Sequence, residues 1–161
     1  MNTINIEDTV LYEDKYILVC QKPAGFPVQS KRLGTLDMEC ALRNYLAKKG
    51  QEPYVAVIHR LDQPVEGVLV FAKEKKAAAA LTKQLSAGTL NKQYYAVLCG
   101  YPDASEGELV DYLRKEGSVA VAVTGREKNF PDAKIAKLHY SILEKINQPM
   151  PLALADVCIE T

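Results

Sequence analysis

Two periods alternate along the chain, and one charged turn stands between them. Val10 to Lys22, VLYEDKYILVCQK, sets two short apolar runs around Glu13-Asp14-Lys15, which predicts two strands, with Tyr16 to Cys20 the more continuously apolar. Pro23-Ala-Gly-Phe-Pro27 ends that run, because proline has no amide to give a ladder and Gly25 invites a turn. The loop continues through Val28 to Gly34, whose polar and glycine content predicts a surface segment with freedom to move. Thr35 is the expected cap of a helix over Leu36 to Lys48. Its stripe would be Leu36, Cys40, Leu42, Tyr45 and Leu46, with Gly50 as a stop.

Tyr54 to Ile58 and Val68 to Phe71 are apolar runs of strand length, and Glu74 to Ala87, alanine-rich and ended by Gly88, is the clearest helix. Strand character returns over Thr89 to Gly100, Leu109 to Leu113, Val119 to Thr124, Ala133 to Leu143 and Leu152 to Ile159. Gly125 to Asp132, GREKNFPD, reads as an exposed loop. No repeat, low-complexity tract or linker divides the 161 residues, so the expectation is one α+β domain over 1–161. Its architecture would be a largely antiparallel sheet flanked by two main helices, with a site in a cleft beside the loop from His59 to Gly67.

Composition narrows the partners. The chain is 48% hydrophobic and 25% charged, with 20 basic and 20 acidic residues, so no global basic field marks it as a nucleic-acid binder. The charge is instead local: Lys73, Lys75, Lys76, Lys83 and Lys92 face only Glu74 between positions 73 and 92. Such a patch suits either a solvated helix face or a phosphate-contacting surface. Cys20, Cys40, Cys99 and Cys158 form no C-x-x-C pair and read as buried small hydrophobes in a reducing compartment. With no cationic leader or membrane-length apolar stretch, the cytoplasm is the expected location.

Chemistry concentrates in Ile58 to Lys73, IHRLDQPVEGVLVFAK, where His59, Arg60 and Asp62 lie within four positions on a loop between two strands. At His59-Arg-Leu-Asp62 followed by Gly67-Val-Leu-Val-Phe-Ala-Lys73, the sequence resembles the RluA-type pseudouridine synthases. Leu11 to Gly25, ending in Lys22-Pro-Ala-Gly25, is similar to that family's N-terminal strand pair and K-P-x-G turn. Lys92-Gln-Tyr94-Tyr-Ala96-Val-Leu-Cys-Gly100 is similar to its K-x-Y-x-A-x-x-x-G strand.

The resemblance implies an isomerase that converts uridine to pseudouridine in structured rRNA or tRNA, with no metal or redox cofactor and no membrane. It implies Asp62 as the catalytic carboxylate, Arg60 as the side chain that fills the gap left by a flipped base, and Tyr94 packing on that base. His59 would order the loop or contact phosphates, and Lys73 and Lys92 would contact RNA. Val65-Glu66 stands where the family carries T-S before its glycine. The family also continues past E-T with G-R-T-H-Q-I-R-V-H, where this chain reaches Glu160-Thr161. The resemblance therefore implies a catalytic domain lacking its C-terminal part, including the arginine that pairs with the aspartate, and little activity from the 161-residue form alone. Two alternatives stay open: an inactive RNA-binding module that keeps the fold, and a carboxylate-dependent hydrolase using Asp62 with His59.

Overall fold

The computed structural model describes residues 5–32, 34–117, 119–123 and 131–160. Among these residues are two α-helices and two antiparallel sheets, in two compact units spanning 1–87 and 88–161. The expected mixed α+β class holds, with the strands shared between two sheets and both helices in the first unit.

In the first unit, strands β1 (Val10–Glu13), β2 (Ile17–Lys22), β3 (Ala56–Val57) and β4 (Gly67–Ala72) form a sheet of order β1-β2-β4-β3. The β2–β4 ladder runs without a break from Ile17 opposite Ala72 to Lys22 opposite Gly67. Strand alternation puts Leu18, Cys20, Leu69 and Phe71 on one face. Helix α1 (Met38–Lys48) covers that face with Met38, Leu42, Tyr45 and Leu46, and Val28 and Val55 complete the core. Spacings of four, three and one bring these helical positions to one side. Contrary to the expected stripe, Leu36 precedes the helix and Cys40 falls off its buried side, and both are exposed.

The cap of α1 also differs from expectation. Asp37, not Thr35, is the N-cap: one carboxylate oxygen accepts from the Cys40 amide at 2.8 Å and the other from the Ser30 amide at 2.7 Å. Pro27 and Val28 carbonyls take the amides of Met38 and Glu39. Asp37 prevails because its two oxygens serve the helix and the preceding loop together. For the same reason the stretch from Val28 to Ser30 is held down rather than free, with Val28 only 2% exposed.

Helix α2 (Lys75–Ser86) follows β4 and has no fully buried residue. The second unit is a five-stranded sheet of order β5-β9-β8-β6-β7, built from β5 (Lys92–Cys99), β6 (Glu106–Glu116), β7 (Val119–Val123), β8 (Lys134–Ile146) and β9 (Leu152–Ile159). The expected loop from Gly125 lies largely outside the described residues. Among the described cysteines only Cys20 is buried, where its apolar surroundings push the thiol up to about 12. Cys40, Cys99 and Cys158 are exposed, because each falls on the outward phase of its element.

Glu13 ties β1, α1 and the end of β4 together. Its carboxylate accepts from the Tyr45 hydroxyl at 2.8 Å, Lys49 at 2.8 Å, Lys73 at 2.7 Å and Gln51 at 3.3 Å. Burial pushes this carboxyl up, but the hydrogen bonds from Lys49, Lys73 and Tyr45 outweigh it and hold it at about 2, against an ordinary 4.5. A carboxyl depressed on folding stabilises above its ordinary range and loses that contribution as pH falls toward its folded value. Glu13→Gln is therefore expected to lower stability at pH 7 by about 2 kcal/mol. In urea denaturation, the gap between variant and wild type should close between about pH 4.5 and 2; a gap constant across that range would contradict the assignment.

Candidate active site

The loop between β3 and β4 alternates inward and outward in its first part, from His59 to Asp62. Leu61 packs against the core, while Arg60 before it and Asp62 after it are exposed. His59 is half-buried at the start of the loop. Asp62 opens a tight turn closed by the Val65 amide on the Asp62 carbonyl at 3.0 Å, and everything from Asp62 to Glu66 faces solvent. At Gly67 the backbone turns back into β4 with φ +156°, and a Cβ there would sit 3.1 Å from Leu61 Cδ1, close enough that Leu61 would have to give by a few tenths of an ångström.

A second turn holds this one from beneath. Lys22, the last residue of β2, is wholly buried, and its ammonium donates to the carbonyls of Pro23 at 2.9 Å, Phe26 at 2.7 Å and Gln63 at 3.0 Å. Three ammonium protons meet three carbonyl oxygens. Burial draws the Lys22 pKa down, and the negative charge of Asp62 partly holds it up. Gly25 and Gln63 add a reciprocal pair: the Gly25 amide donates to the Gln63 carbonyl at 2.8 Å, and Gln63 Nε2 donates to the Gly25 carbonyl at 2.9 Å. The result is an exposed carboxylate on a backbone fixed at its neighbouring residue, with a buried cation below. Such a group can attack an electrophilic carbon or accept a proton.

The other residues anticipated from sequence are distributed as follows. Lys73 directly follows β4, and its side chain is only 9% exposed, donating to Glu13 at 2.7 Å and to the Asp14 carbonyl at 2.7 Å. Its ammonium is thus engaged within the first unit, while Lys75, Lys76 and Lys83 on α2 are exposed. Lys92 and Tyr94 belong to the second unit. Lys92 opens β5 opposite Ile159, and Tyr94 lies opposite Val157, on the half-buried phase of a strand whose Gln93 and Tyr95 are exposed. Lys22 and Gln63 escaped the sequence reading as site residues. The signal was present in β2, where Leu18, Cys20 and Lys22 share the buried phase, and a lysine in that phase needs a partner.

Comparison with known proteins identifies the family. Residues 16–155 match the family model described as RNA pseudouridylate synthase, and the chain belongs to that family. It is 30% identical over 145 residues to the ribosomal large subunit pseudouridine synthase C of Vibrio cholerae, covering 87% of this chain and 42% of the relative. It is 29% identical over 144 residues to the tRNA pseudouridine synthase C of Yersinia pestis, covering 89% of this chain and 54% of the relative. The chain thus spans about half the length of these relatives. The solved structure of human RNA pseudouridylate synthase domain containing 4 superposes with a TM-score of 0.77 at 22% identity, over 97% of this chain and 60% of that one, which supports the fold.

Replacing Lys22 by methionine keeps the volume but strands the carbonyls of Pro23, Phe26 and Gln63. Lys22→Met is expected to cost about 3 kcal/mol in chemical denaturation. A loss below about 0.5 kcal/mol, the usual size of a surface substitution, would show that the ammonium does not hold the two turns.

Proposed function

We propose that the protein isomerises uridine to pseudouridine in structured tRNA or rRNA, in the cytoplasm, with Asp62 as the reacting carboxylate. The observation that carries this reading is the turn itself: Asp62 is exposed while the residue after it is hydrogen-bonded to a buried ammonium. A reacting group needs both access and a fixed position.

In the reaction the C1′–N1 bond of uridine breaks, and a new bond forms between C1′ and C5 of the same uracil. The C5 proton leaves, and N1 ends protonated. Asp62 assists either by attacking C1′ or by removing the 2′ proton to give a glycal, and both routes free the base to turn over. The sequence is redox-neutral, and a carboxylate with a retained uracil is sufficient for it. A uridine within a helix must first leave its stack. Arg60, exposed two residues before Asp62, carries a planar cation able to occupy the vacated space. Tyr94 is the aromatic side chain proposed to pack on the flipped base, and Lys92 and His59 are proposed contacts to the RNA backbone. The exposed lysines of α2 add phosphate attraction to a chain of zero net charge.

Release of tritium from RNA labelled at uracil C5 reads the lost proton directly. The protein encoded by the native reading frame is expected to release it, and Asp62→Asn to reduce the rate by at least about 1000-fold while leaving salt-dependent RNA binding intact. Release that survives Asp62→Asn would remove Asp62 from the chemistry. RNA binding by the unaltered protein without release would instead favour a binding module.

A further inference from the structure

The side chain of Gln63 makes a bond that neither the core nor the proposed chemistry demands. Gln63 is exposed, yet its Nε2 donates to the Gly25 carbonyl at 2.9 Å while its own carbonyl receives the Gly25 amide at 2.8 Å and the Lys22 ammonium at 3.0 Å. Lys22 and the Gly25 amide both grip the second turn at one atom, the Gln63 carbonyl, and a single acceptor atom restrains the orientation of the peptide less than two separated attachments do. The side-chain bond to Gly25 supplies a second point on the same residue. Gly25 can serve as the counterpart because its φ of +80° turns both its amide and its carbonyl toward Gln63.

We propose that Gln63 is a positioning residue for Asp62, a latch between the Lys22-Pro-Ala-Gly25 turn and the Asp62 to Val65 turn. Asp62 is joined to Gln63 by one peptide bond, so any swivel at Gln63 displaces the carboxylate. The kinetic consequence rests on the isomerase reading, whereas the latch does not.

Two variants separate this role from the others an exposed glutamine can have. Gln63→Ala removes the donor. Gln63→Glu does more, because an ionised carboxylate has only acceptors to set against the Gly25 carbonyl, while its protonated form regains a donor. Backbone amide exchange at Gly25, expressed as a protection factor, should fall several-fold in Gln63→Ala and further in Gln63→Glu at pH 7. In Gln63→Glu it should recover as the pH is lowered to about 4, through the ordinary range of a glutamate. Tritium release should show kcat reduced about 10-fold in Gln63→Ala and more in Gln63→Glu, with KM for RNA and thermal stability nearly unchanged.

Unchanged Gly25 protection in both variants would overturn the latch. Lost protection with an unaltered kcat would overturn its role in positioning Asp62. A change confined to KM and its salt dependence would make Gln63 an RNA contact instead. If the unaltered protein releases no tritium, the isomerase reading fails and the kinetic role falls with it, while the exchange measurement still decides the latch.

Discussion

Burying the ammonium of Lys22 costs several kcal/mol unless each of its protons finds an acceptor, and the first unit is arranged around meeting that demand. The acceptors come from two turns: Pro23 and Phe26 from one, Gln63 from the other. A hydrophobic side chain in that place would leave the carbonyls unsatisfied and the turns independent of each other. With lysine there, segments 41 residues apart in sequence, Lys22 and Gln63, become one rigid edge. The β2–β4 ladder strengthens it, since Lys22 also stands opposite Gly67, where the second turn re-enters the sheet.

The same economy of charge appears at Glu13 and Lys73. A glutamate at the end of β1 gathers Tyr45 from α1, Lys49 at its C-cap and Lys73 just after β4, so the helix is fastened to the sheet by ions at its rim as well as by Leu42, Leu46 and Phe71 within. Paired ions hold the frame, while Arg60 and Asp62 stand exposed on the loop between β3 and β4.

Much of this was legible in the sequence, for identifiable reasons. Strand runs such as Leu152 to Ile159 and the alanine-rich helix after Glu74 were found because their periodicity is long and consistent. Ordered motifs around Asp62, Lys22 and Tyr94 pointed to the family because chemistry constrains several residues together. Features that escaped depend on contacts between distant segments. Asp37 displaced Thr35 as a cap because Ser30 folds back upon it, and Lys73 turned inward because Glu13 stands across the sheet from it. A one-dimensional charge count placed Lys73 on the surface patch. Lys22 escaped as well, although its signal is local, a charge in the buried phase of an apolar strand.

The side-chain ammonium of Lys22 is itself the most direct object of measurement. In nitrogen-15 NMR of the protein at neutral pH, its protons should exchange slowly with water, and couplings across hydrogen bonds should connect Nζ to the carbonyl carbons of Pro23, Phe26 and Gln63. That result would place one buried cation under the turn that carries Asp62. An ammonium exchanging as fast as those of the exposed Lys75 and Lys76, with no such couplings, would contradict the account at its foundation.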